Sequence, residues 1–169
     1  MNDNSNRILI LALGNDIMGD DAAGLIAARE LKKELGRAVD IFEVSSAGFS
    51  LIDILEGYRK VLILDSIPSG NDSNGLIIEL KKENLSEQNL FSPHYVDIQG
   101  LMELAKKLKI QFPHEIKILA IEIKEKGVIR EGLSEEIKKK IPQFIQKASR
   151  VIKNWIGEEY FWESQDELS

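Results

Sequence analysis

The sequence predicts an α/β protein built on a doubly wound, mostly parallel twisted sheet of five strands, the fourth antiparallel at an edge. Three observations predict it. First, the runs RILILAL (7–13), KVLIL (60–64) and IKILAIEI (116–123) are nearly unbroken aliphatic segments, as expected of strands covered on both faces. Second, the stretches between strands carry apolar residues at helical spacing, so strands and helices alternate. Third, LIIEL (76–80) follows the third strand after only a short loop, too close for a helical crossover, so it runs antiparallel.

The elements follow in order. Residues 1–6 (MNDNSN) are polar and expected to fray. After the first strand comes a turn with Gly14, Asn15 and Gly19, then the adjacent acids Asp20 and Asp21. A helix follows, with Gly24, Ala27, Ala28, Leu31 and Leu35 at helical spacing and Gly36 as its stop. VDIFEV (39–44) alternates and is β-branched, which marks the second strand. A turn over Ser45–Gly48 leads to a short helix, Phe49–Leu55.

The third strand is expected to end at Asp65, before the loop SIPSGNDSNG, whose Ser, Asn, Gly, Asp and Pro content excludes a regular element. Beyond the fourth strand, Lys81–Tyr95 is polar and contains Pro93 and His94. Asp97 then reads as the N-cap of a helix carrying Ile98, Leu101, Met102, Ala105 and Leu108. After the last strand, a long amphipathic helix, Leu133–Trp155, should be kinked at Pro142, and an acidic tail beyond Gly157 is expected to be mobile. The whole is one domain of 169 residues with its core over about 7–155.

Composition narrows the function. The net charge of −6, with basic residues dispersed among acids, argues against nucleic acid as a partner. With no cysteine there is no disulfide, thiolate ligand or thiol nucleophile. No apolar stretch is long enough to span a bilayer, and the N-terminus lacks a signal-peptide core, so a cytoplasmic location is the expectation.

In a doubly wound sheet, the loops at the carboxyl ends of the central strands converge on one crevice. Here those loops carry Asp20 and Asp21, then Asp65, then His94. Two carboxylates and an imidazole suit Zn, Ni, Co or Mn, with positions left for water or substrate. Each residue also has a plainer role, which is the commoner one for acids before a helix and for a histidine in a polar loop. Asp20 and Asp21 can cap the first helix, Asp65 can start a turn, and His94 can be a surface histidine. His114 precedes a strand and so belongs to the opposite edge. The lysine pairs read as solvated faces, and Trp155 as core.

The stretch LALGNDIMGDDAAG (11–24) resembles the opening motif of the hydrogenase maturation endopeptidases: a strand, Gly-Asn, two acids, a small residue and Gly. The likeness extends to Asp65 at the third strand, to Ser92-Pro93-His94 before an apolar helix, and to a Leu-Ser-x-x-Ile pattern at Leu133–Ile137. It spans roughly Arg7–Ile152. The resemblance implies a three-layer fold, a twisted sheet sandwiched by helices. It implies that Asp21, Asp65 and His94 bind the metal, with Asp21 and Asp65 catalytic. It also implies an activity: an aspartate-based endopeptidase that removes a C-terminal extension from the nickel-loaded large-subunit precursor of a nickel-iron hydrogenase. Nickel would come with the substrate, and Zn, Cd or another divalent cation could replace it. Three departures bear on substrate choice, one of them the loop between Asp65 and the fourth strand, which is peculiar to this chain. Ser45-Ser46-Ala47-Gly48 stands where the family has an Asp-Gly-Gly-Thr type segment, and Ile123-Lys124-Glu125 replaces a proline and glutamate after the last strand.

A competing expectation is a receiver-like signalling module that binds Mg, is phosphorylated at Asp65 and uses Lys124. It sits poorly with acids placed past a glycine turn and leaves His94 without a role. A third expectation is a binding protein that keeps the site without turnover.

Overall fold

The computed structural model describes residues 7–45, 51–69, 73–81, 93–124 and 128–166. The strands are β1 (Ile8–Leu13), β2 (Asp40–Val44), β3 (Lys60–Pro68), β4 (Ile77–Lys81) and β5 (Glu115–Ile123). The helices are α1 (Ala23–Leu35), α2 (Leu51–Leu55), α3 (Pro93–Leu108) and α4 (Glu135–Asp166). The sheet order is β2-β1-β3-β5-β4. β1 pairs in parallel with β2 and β3, β3 pairs in parallel with β5, and β4 pairs antiparallel with β5 at the edge.

All six residues of β1 are buried, which is why its sequence does not alternate. Its side chains divide between two cores. Ile8, Ile10 and Ala12 join α1 and α4 on one face, with Leu62 and Leu64 of β3. Leu9, Leu11 and Leu13 join Leu55 of α2 on the other, where Met102 of α3 packs on the same cluster. The result is helices on both faces of the sheet, as expected for three layers. Trp155 is a core residue, 1% exposed, with the ammonium groups of Lys60 and Lys117 lying 5.8 and 5.6 Å from its ring centroid.

Three boundaries differ from the expectation. β3 does not stop at Asp65 but continues through Ser66, Ile67 and Pro68, paired with β5 as far as Pro68↔Ile123. The polar, turn-forming residue types there conceal a strand whose Ser66 and Ile67 are buried. α3 begins at Pro93, and Asp97 lies inside it rather than capping it. Proline suits a first helical position, since its φ is preset and its missing N–H would have had no helical partner. α4 extends past Trp155 and Gly157 to Asp166, with Pro142 inside it. Phe49, the expected start of α2, and Ser46–Gly48 lie outside the described residues.

The chain leaves β1 for β2 on one side, then crosses over to β3 on the other. The strand order therefore reverses between β1 and β3. In an open α/β sheet, the crevice at the carboxyl ends of such a strand pair is where ligands bind.

Candidate active site at the β1–β3 crevice

The turn after β1 is shaped by three residues. Gly14 has φ 154°, and a Cβ there would lie 2.2 Å from the main-chain oxygen of Asp21. The chain after β1 thus folds back on itself with no room for a side chain at Gly14. Asn15 closes the turn, its Oδ1 accepting from the N–H of Ile17 at 3.1 Å and its carbonyl from Met18. Asp16 is anchored from outside by Arg29, which also grips Glu43 on β2. Those hydrogen bonds hold the Asp16 carboxyl below the usual range and push the guanidinium further up.

Next comes a 3-10 turn, Gly19–Ala22, and then α1. Gly24, in the first turn of α1, meets the sheet directly. A Cβ there would lie 2.7 Å from the Leu64 carbonyl oxygen and 3.0 Å from that of Leu13. The helix start therefore rests on the ends of β1 and β3, and this contact seats the Gly19–Ala22 turn over the crevice.

The two adjacent acids have different partners. α1 is capped by Ala22, with no side-chain capping bond. Asp20 turns instead to the far end of the sequence, accepting from the N–H of Ser134 at 2.6 Å and from its hydroxyl at 2.8 Å. Ser134 immediately precedes α4, and its Oγ accepts from Ile137 N–H, so Asp20 braces the start of that helix. Arg130 adds a longer ion pair to Asp20 at 3.7 Å. The Arg130 segment bridges Met18 in parallel, through Gly19 N–H to Arg130 O and Arg130 N–H to Ile17 O. Asp20 is thus a structural acid.

Asp21 faces the crevice, where its Oδ1 accepts from the Ser66 hydroxyl at 2.8 Å. The register Ala12↔Leu64 makes Asp65 level with the last residue of β1. Past that point β3 outruns β1. Ser66 N–H donates to Oδ1 of Asp65 itself at 2.7 Å. Asp65 is 2% exposed and Ser66 fully buried. The crevice therefore brings Asp21 to Ser66, the residue directly after Asp65, which the sequence alone presents as part of a loop. A serine directly after a strand-end acid is the only signal the sequence offers for it.

His94 lies in the first turn of α3, and its side chain lies outside the described part of the structure. The other end of α3 adjoins the amino edge of the sheet. There the Gln111 carbonyl accepts from Gly57 and the His114 N–H donates to the Arg59 carbonyl. A helix of this length spans about 24 Å, so the first turn is remote from that edge. His114 belongs to the amino edge, as expected. Lys124 pairs with Glu136 at 3.6 Å on the surface.

A doubly wound sheet with two aspartates at its switch point defines a class of α/β protein with carboxylates at the crevice where such folds bind ligands. Comparison with known proteins identifies the family. A family model, "HycI: Hydrogenase maturation protease", matches residues 25–151, well over half of the chain and a span that includes Asp65 and His94. This chain belongs to the hydrogenase maturation protease family. "Protein FrxA" of Pyrococcus furiosus is 30% identical over 143 residues, covering 80% of this chain and 98% of that protein. "Hydrogenase 2 maturation protease" of Escherichia coli is 28% identical over 137 residues, covering 78% of this chain and 77% of that one. Among solved structures, the hydrogenase maturating endopeptidase HybD from E. coli superposes with a TM-score of 0.73 at 22% identity, covering 88% of this chain and 93% of that one. That last likeness is one of fold. Family membership removes the receiver expectation, and Asp20 and Asp21 indeed lie past the Gly14–Met18 turn rather than at the end of β1. Among the described residues no helix is long and apolar enough to cross a membrane.

Proposed function

We propose that this chain is an endopeptidase that removes a C-terminal extension from the nickel-loaded large-subunit precursor of a nickel-iron hydrogenase. On this reading Asp21, Asp65 and His94 engage the metal that the substrate carries. The observation that carries the reading is the hydrogen bond from Ser66, the residue directly after Asp65, to Asp21 at the β1–β3 switch point. Family membership and the protease activity in the name of the E. coli relative support it.

The donor set suits a borderline divalent cation. Two carboxylates and one imidazole satisfy part of a coordination shell and leave positions for groups of the precursor. Such a cation supplies Lewis acidity, polarising a carbonyl and bringing a bound water's pKa to about 7. The chain's own residues then hold and orient. Asp65 works from a rigid, buried strand, and Asp21 from a turn pinned between Gly14 and Gly24. A carboxylate of the pair accepts the proton released as water adds to the scissile peptide, and the products are a new C-terminal carboxylate and a free amine. With an incomplete shell, the free enzyme holds metal weakly, so recognition belongs to the loaded precursor.

The test is cleavage of nickel-loaded precursor by the parent and by Asp21→Asn, Asp65→Asn and His94→Ala. Each substitution is expected to reduce the rate by at least about 100-fold, the scale of losing a general base or a metal ligand. Undiminished cleavage by all three variants would overturn the assignment.

A further inference from the structure

Among the described residues, the most deeply buried polar side chain of the crevice is one that neither the motif nor the family resemblance assigns. Ser66 sits inside β3, fully buried, between Asp65 and Ile67. A buried hydroxyl is costly unless it is hydrogen-bonded, so its place in an aliphatic strand calls for a reason. The structure provides one. Its hydroxyl donates to Oδ1 of Asp21 at 2.8 Å, and its main-chain N–H donates to Oδ1 of Asp65 at 2.7 Å. One residue thus engages an oxygen of each carboxylate, although the two acids lie 44 positions apart in the sequence.

We infer that Ser66 is a positioning residue, which sets the Asp21 carboxylate relative to Asp65 so that both face one divalent cation. This inference rests on the proposed reading of Asp21 and Asp65 as ligands to the substrate's metal. Both contacts have good hydrogen-bond lengths, 2.8 Å for the O–H···O pair and 2.7 Å for the N–H···O pair. Successive residues of a strand project to opposite faces, so the Ser66 hydroxyl reaches the α1 side, while the Asp65 carboxylate, starting from the other side, turns back along the strand to the Ser66 N–H. Asp21 comes from the α1 face, the side to which the Ser66 hydroxyl points. The strand meets Asp65 through its own backbone, and Asp21 through the Ser66 hydroxyl. Asp20, by contrast, is held by Ser134. The adjacent acids are therefore locked by two different serines, one bracing α4 and one aligning the site.

The experiment uses the full chain and Cd²⁺ as the probe ion. Its affinity is measured by calorimetry for the parent, Ser66→Ala, Asp21→Asn, Asp65→Asn and the Ser66→Ala/Asp21→Asn double variant, with thermal melting of each. Outer partners of metal ligands are typically worth 10- to 100-fold in affinity, so Ser66→Ala should weaken Cd²⁺ binding by roughly that factor while still melting cooperatively. In the Asp21→Asn background the same change should add less than about twofold, because its effect travels through Asp21. Parent-like Cd²⁺ affinity in Ser66→Ala, with Asp21→Asn and Asp65→Asn impaired, would overturn the inference alone. So would a full additional loss in the double variant. Parent-like affinity in Asp21→Asn and Asp65→Asn would instead bring down the site reading itself.

Discussion

Gly24 shows how a single residue sets the site's geometry. A methyl group there would stand 2.7 Å from the Leu64 carbonyl oxygen, and strand backbone cannot yield as a flexible side chain can. Gly24→Ala is expected to lift α1 off the strand ends, costing about 1–3 kcal/mol in urea unfolding and lowering cleavage with it. At Asp20 the expected pattern is the reverse of that at Asp21. Asp20→Ala leaves the Ser134 N–H and hydroxyl without their acceptor, so it should cost about 1–3 kcal/mol of stability. Asp21→Asn should leave stability nearly unchanged while abolishing turnover. The outer turn is pH-sensitive through Asp16, whose carboxyl Arg29 holds low. Because the folded value is the lower one, the pair stabilises fully above the unfolded value of about 3.9 and is lost as pH falls through the folded value. Asp16→Asn should therefore melt slightly below the parent at neutral pH, by less than about 1 kcal/mol since both partners are half exposed. That gap should close in acid. Asp20, Asp21 and Asp65 can all be picked out from the sequence as candidates, but their division of labour cannot. An acid near a helix start reads the same whether it caps that helix, braces a distant one or faces a crevice. Ser66 cannot be picked out, because its role depends on a partner far away along the chain.

At the scale of elements, α4 shows how far the long helix ties the molecule together. Its apolar stripe reaches Trp155, which the ammonium groups of Lys60 on β3 and Lys117 on β5 approach. Trp155→Ala should cost about 3–5 kcal/mol in equilibrium unfolding. The indole N–H has no hydrogen-bond partner among the described residues. Trp155→Phe, which keeps an aromatic face and removes that donor, should cost much less. The strands are legible because short, continuous aliphatic runs bounded by polar turns suit a strand buried on both faces, and the antiparallel β4 because its linker is too short to cross over. Two of the boundaries that differ from expectation share one cause. Ser, Pro and Asp resemble local punctuation, yet β5 holds Ser66–Pro68 in register as strand, and Pro93 opens α3 rather than preceding it. Tertiary pairing overrides the local signal in β3, and both segments carry proposed site residues.

Across the whole molecule, the order β2-β1-β3-β5-β4 is what gives widely separated residues a common location. The reversal between β1 and β3 opens the crevice, Gly14 and Gly24 fold the motif over it, and β3 runs on past the end of β1 to present Asp65 and Ser66. The most direct test is a crystal structure of the chain soaked with Cd²⁺, with the ion located by anomalous scattering. The expected result is an ion in the β1–β3 crevice with carboxylate oxygens of Asp21 and Asp65 and a nitrogen of His94 at about 2.0–2.4 Å. An ion bound away from both aspartates, with His94 directed elsewhere, would contradict the proposed site.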